Sequence, residues 1–197
     1  NVYTANVFKN NDAGIAVMYS RNVGMFKNKF LENWGDGVYG LLLKDLTFSK
    51  IKNNIFRNNT VGIFMDGASK VDLYHNEFVN NGWGLKINAN CMENRLMNNN
   101  FENNTFDVST SGSLVMNSFR NNYWDQYEGY DLDKDKIGDV PFHPLSLYAV
   151  LAEKNSMIML LYRTFFVEIL DRSEKLVPSL TPENFVDEQP MMKPNKI

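Results

Sequence analysis

Residues 76–81 read Asn76-Glu77-Phe78-Val79-Asn80-Asn81, and the frame Asn-x-Phe-x-Asn-Asn decides the fold because it keeps returning. It stands again at Asn6 to Asn11, Asn54 to Asn59, Asn99 to Asn104 and Asn117 to Asn122, and a copy at Asn28 to Asn33 carries Glu32 in fifth place. Phe8, Phe30, Phe56, Phe78, Phe101 and Phe119 are thus spaced 22, 26, 22, 23 and 18 residues apart. A period near 22 marks an internal repeat. After most copies Gly opens a run of alternating apolar residues, as at Gly14-Ile15, Gly37-Val38, Gly62-Ile63 and Gly84-Leu85, and alternation is the pattern of a strand. Short strands, Gly and Asn at the corners and no helical period predict an all-β, right-handed parallel β-helix solenoid with a short C-terminal helical extension. The leucine-rich horseshoe has a similar period, but its Leu-x-x-Leu-x-Leu frame is missing.

In such a solenoid one corner Asn can take the left-handed backbone region and bond to its copies above and below. The phenylalanines stack inside, one ring per coil. The 26-residue interval predicts an insertion around Leu41 to Phe48, and the short last interval predicts a tapering stack. Of the first 122 residues 25 are Asn, against three of the remaining 75, which sets a boundary near Asn122. The expected organisation is coils over 1–122, an acidic capping loop over 123–144 and a helical extension over 145–197. A cap is required because the last coil of an array exposes an apolar edge.

The 197 residues carry 44% hydrophobic side chains and a net charge of -3, enough for one domain with its own core. A mild acidic excess gives no electrostatic reason for nucleic acid or anionic lipid as partner. A lone Cys91 and only two histidines, His75 and His143, exclude a disulfide framework and structural zinc. No apolar run approaches the roughly 20 residues that span a bilayer. The opening residues lack the pattern of a signal peptide and read as the middle of a repeat, which predicts further coils upstream.

Residues 123–144 hold six carboxylates against two lysines. Asp131, Asp133 and Asp135 at spacing two, the carbonyl of Ile137, and Asp139 match positions 1, 3, 5, 7 and 9 of a calcium loop. Crowded carboxylates favour Ca2+ or a similar divalent ion. Lys136 stands where that loop has Gly, and Phe142 where it has Glu. The competing reading is a solvated acidic turn partly compensated by Lys134 and Lys136.

The Asn-rich coils, then Asn122-Tyr123-Trp124, Gly129-Tyr130-Asp131-x-Asp133-x-Asp135, Ile137-Gly138-Asp139-Val140-Pro141-Phe142, Pro144-Leu145-Ser146-Leu147 and the ending Leu180-Thr181-Pro182-Glu183 to Pro190-Met191-Met192-Lys193-Pro194 resemble the NosD family of nitrous oxide reductase maturation proteins. The resemblance spans nearly the whole chain. It implies a periplasmic partner of an ABC-type transporter membrane subunit, needed to assemble the copper-sulfide centre of nitrous oxide reductase, with that enzyme or a copper chaperone as further partner. It carries over no catalytic residue.

From Leu145 the pattern turns helical, with Leu145, Leu147, Tyr148 and Leu151 on one face, and Thr164 able to cap Phe165, Phe166, Ile169 and Leu170. These helices are too short to stand alone, so they dock either on the open end of the solenoid or on a membrane partner. Soft thioethers select Cu(I), and the candidates are Met157, Met159, Met191 and Met192, with His143 beside the acidic loop. Met157 and Met159 lie among Ile158, Leu160 and Leu161, where Met also serves as core filler. Two other functions stay open: a carbohydrate-binding or polysaccharide-modifying protein on the same scaffold, and a structural surface repeat. Asp66, Asp72, Glu77 and Asp107 do not recur at one coil position, which argues against an enzyme.

Overall fold

The computed structural model describes residues 1–112, 116–155, 157–158, 164–165, 169–170 and 185–197. The first coil is β1 (Val2–Thr4), β2 (Val7–Lys9) and β3 (Ala13–Arg21). The second is β4 (Gly24–Phe26), β5 (Lys29–Leu31) and β6 (Tyr39–Thr47). The third is β7 (Lys50–Lys52), β8 (Ile55–Arg57) and β9 (Val61–Asp66). The fourth is β10 (Asp72–Tyr74), β11 (Glu77–Val79) and β12 (Trp83–Ile87), and the fifth β13 (Met92–Met97), β14 (Asn100–Glu102) and β15 (Phe106–Thr110). β16 (Met116–Arg120) and β17 (Tyr123–Trp124) begin a sixth. Each coil adds one strand to each of three parallel sheets, so the chain is a β-solenoid of about five turns.

The interior carries the expected ring stack, with one correction. Phe8, Phe30, Phe56, Phe78 and Phe101 stack in order, and the sixth ring is Trp124, not Phe119. Centroids are 4.3 to 5.0 Å apart and planes within 12°. Phe119 instead pairs with Leu96 in the sheet of β1. In the fifth coil a variant of the frame with Leu for Phe, Asn94-Arg95-Leu96-Met97-Asn98-Asn99, precedes the Phe101 copy, and Asn117 to Asn122 continues that earlier series. From Phe101 to Trp124 the spacing is 23, so the stack does not taper. The insertion is displaced too. Asn11 bonds Asn33 across 22 residues while Ala13 pairs with Tyr39 across 26. The four extra residues are therefore Trp34 to Gly37, not Leu41 to Phe48.

The two asparagines of each pair do different work. The first of each pair turns the corner: Asn10, Asn58, Asn80 and Asn103, with Glu32 in the same place, sit at φ of 54° to 55°. The second is buried and bonds to its copy in the next coil. One ladder runs Asn6, Asn28, Asn54, Asn76, Asn99, Asn122 at 2.9 to 3.0 Å between carboxamides. The other runs Asn11, Asn33, Asn59, Asn81, Asn104 at 2.7 to 3.3 Å. In both, each Oδ1 accepts the main-chain and side-chain N–H of the preceding rung. Each rung thus directs its main-chain N–H and one Nδ2 proton toward the C-terminal end, while Nδ2 also donates back to a carbonyl of the preceding coil, and the last rung needs an acceptor.

Both ladders end on a carboxylate. Asn122 donates from N and Nδ2 to Asp187 Oδ2, which also accepts Trp124 Nε1 at 3.2 Å. Asn104 Nδ2 donates to Asp107 Oδ1 at 3.0 Å. Asp107 continues the column Gly14, Gly40, Gly62, Gly84, where a Cβ would collide with the next coil's carbonyl or an interior ring. Only in the last coil is there room for a side chain, and burial pushes its carboxyl up to about 7 against the opposing Asn104 hydrogen bond.

The cap covers this end. α1 (Leu147–Lys154) starts on the Ser146 side chain, which accepts the Ala149 N–H. Its buried residues Tyr148, Ala149 and Ala152 join the core, with Tyr148 tilted on Phe106 of β15 at 5.4 Å. Lys86 Nζ meets Glu153 Oε2 at 2.9 Å while lying over the Trp83 ring. The C-terminal segment closes the remainder: Phe185 packs on Phe119, Asp187 pairs with Phe142, Met191 with Tyr123, and Asn195 N donates to Asn100 Oδ1 at 2.8 Å.

Candidate functional site

The aspartate loop is prefolded. Ligand oxygens of Asp131, Asp133 and Asp135 all lie within 4.8 Å of one another, the one such cluster of acidic, His or Cys side chains among the described residues. Asp131 accepts the amides of Asp135 and Lys136 at 3.2 and 2.9 Å, and Asp135 accepts that of Ile137 at 2.7 Å. Lys136 sits at φ +78°, so it adopts the conformation for which the calcium loop uses Gly. Asp139 turns back to accept Leu132 N at 2.7 Å, outside the cluster. The Asp135 amide pulls the Asp133 carboxyl down, but desolvation and the charges of neighbouring aspartates outweigh it and hold the group above its ordinary value. Mutual repulsion of this kind is what a bound divalent ion relieves. Tyr127 anchors the loop by donating to Val140 O at 2.7 Å, wedged between Gly129 and Gly138, neither of which has room for a side chain.

The soft donors are distributed. Met191 and Met192 are tied beside the loop: Met191 bridges to Ile137 and Met192 N donates to Lys136 O at 3.0 Å. His143 is exposed next to Phe142, and Met157 is exposed. Met159 and Phe166 lie outside the described residues; Phe165 and Ile169 are exposed and Leu170 half-buried. His75 occupies a corner at φ +53° rather than a strand, and burial, then the Lys52 charge, lowers its pKa. Cys91 is buried, and desolvation pushes its thiol up to about 11. Met92 and Met116, exposed on successive coils, are register partners that the repeat frame did not single out, because both lie outside it.

A groove of about 730 Å³ runs along the outer wall over β7, β10, β13 and β16, with Phe48, Lys70, Asp72, Glu93, Arg95 and Met116 among its walls. Its carboxylates are engaged: Arg95 grips Asp72 bidentately at 2.7 and 2.8 Å, and Lys70 reaches Glu93 at 3.7 Å. Phe48 lies between Arg21 and Lys70, each about 5 Å from its ring centroid.

The family model described as periplasmic copper-binding protein (NosD) matches residues 1–129, which takes in every coil and the start of the acidic segment. The chain belongs to the NosD family. A search of curated proteins finds no match. The family is thus a periplasmic, copper-related one. No helix of the described residues is long and apolar enough to cross a membrane. In this NosD chain the aspartate cluster offers only hard oxygen donors, which suit Ca2+ and not Cu(I). Copper is better matched by thioethers, and the exposed methionines are the donors that fit its chemistry.

Proposed function

We propose that this chain is a periplasmic accessory protein of an ABC-type transporter, required for assembly of the copper-sulfide centre of nitrous oxide reductase. The family match over residues 1–129 carries this reading. The division of the tail supports it: α1 and residues 185–197 seal the solenoid, while Phe165 and Ile169 stay 75% and 45% exposed. Phe165, Phe166, Ile169 and Leu170 are the residues we assign to the membrane-subunit contact. Asp131, Asp133 and Asp135, with the Ile137 carbonyl and with Asp139 once its side chain turns from Leu132 N, hold Ca2+ or a similar ion, which stiffens the loop to which Met191 and Met192 are tied. Met157, Met159, Met191, Met192 and His143 are the soft donors available to copper, with the reductase or a copper chaperone as the further partner. Polysaccharide chemistry would need free carboxylates in a groove, whereas Asp72 and Glu93 are both ion-paired.

The test is co-purification of the full-length protein with the transporter membrane subunit, together with copper loading of the reductase in a strain deleted for this gene. Loss of the copper-sulfide centre and recovery of the complex are expected. Normal assembly of that centre without the protein refutes the reading.

A further inference from the structure

Among the described residues four methionines are exposed, Met18, Met92, Met116 and Met157, and of these Met92 and Met116 pair with each other, whereas Met18 pairs with Lys44. Met25 and Met65 are fully buried in the core, and Met191 is held in the cap. Met92 in β13 and Met116 in β16 are direct register partners on adjacent coils, 42% and 59% exposed. They stand side by side next to a groove that Met116 lines together with Phe48 and mostly charged and polar side chains. Parallel neighbours in a sheet are about 4.8 Å apart and project their side chains to the same face. Metal–sulfur bonds are about 2.3 Å long, so one ion between two such thioethers fits the rise of a single coil.

The geometry points to Met92 and Met116 as a two-thioether site for a soft monovalent ion, Cu(I), on the outer wall of the solenoid at the end of the groove. This rests on the copper-handling reading above and assigns it residues. Thioethers carry no charge and no proton, so they discriminate against Ca2+, Mg2+ and Zn2+, which prefer oxygen, imidazole or thiolate. Two donors leave Cu(I) with open coordination positions. Such a site holds the ion loosely and lets a soft donor from a second protein complete the set and take it. A bulge separates the pair from the Arg95–Asp72 clamp three positions on.

The experiment is a titration of the full chain, its methionine methyls labelled with 13C, using Ag(I) in air and Cu(I) under anaerobic reduction. The Met92 and Met116 methyl resonances are expected to shift together and saturate at one ion. The pair Met92→Leu with Met116→Leu should weaken Cu(I) binding, measured against a competing chelator, by about tenfold or more. Leucine conserves volume at an exposed position, so the melting temperature should not change. Methyl shifts confined to other methionines, or a double variant that binds as tightly as the parent, overturn the assignment. Co-purification of the double variant with the membrane subunit separates the two ideas: an intact complex with weakened Cu(I) binding supports the site, and an intact complex with unchanged binding sinks the site alone.

Discussion

Asn122 gives both its main-chain N–H and its side-chain amide to one oxygen of Asp187, at 3.0 and 2.9 Å, across 65 residues of sequence. Asp187 occupies the place that the next coil's asparagine would fill. It is a carboxylate because the ladder ends in donors only, and an acceptor without donors of its own satisfies them all. Asp107 ends the second ladder from inside the glycine column, accepting the side-chain amide of Asn104.

Removing the Asp187 acceptor should be costly. Asp187→Leu strands three buried N–H groups, those of Asn122 N, Asn122 Nδ2 and Trp124 Nε1, and should destabilise by about 3 kcal/mol or more. Asp187→Asn restores an oxygen in the same place and should cost about 1 kcal/mol. Denaturant midpoints of the two variants measure this, and equal losses would mean that the negative charge, not the acceptor position, matters.

Asp107 should make stability depend on pH in an unusual direction. Its folded carboxyl titrates at about 7, above the ordinary 3.8, so the native state keeps a proton that the unfolded chain has lost. Stability from this group is full below pH 4 and declines as pH rises toward 7. Asp107→Asn keeps an acceptor for Asn104 and removes the titration. The stability difference between variant and parent should grow in the variant's favour from pH 4 to 7 and then level off; a flat difference in urea titrations refutes the assignment.

The glycine column tolerates no side chain. A Cβ at Gly62 would lie 2.5 Å from Gly84 O and 3.1 Å from Phe78 Cδ1, and both neighbours are fixed by strand pairing. Gly62→Ala should therefore destabilise by about 1–3 kcal/mol. An unchanged urea midpoint would show that the coils can separate locally.

The aspartate loop should bind calcium after chelation, with heat released or absorbed in calorimetry and a raised melting temperature. At a hundredfold excess over Kd the stabilisation is about 2.7 kcal/mol. Asp133→Asn should remove most of the effect, since Asp133 belongs to the oxygen cluster and is bound by fewer loop amides than Asp131. A silent titration leaves the loop as a solvated acidic turn.

The frame Asn-x-Phe-x-Asn-Asn fixed the period, the strands and the stacked rings by itself, because each coil repeats the contacts of its neighbour and a repeated contact leaves a repeated residue. It misled at Phe119, where two near-identical half-coils run in series and only strand pairing shows which one a copy continues. It also merged the two asparagines of each pair, one chosen for a left-handed backbone and the other for its buried carboxamide. The partners that occur once could come only from the tertiary structure. Asp187 under Asn122, Tyr127 between Gly129 and Gly138, and Met116 beside Met92 are set by where the chain happens to return, and no periodicity announces a contact made a single time.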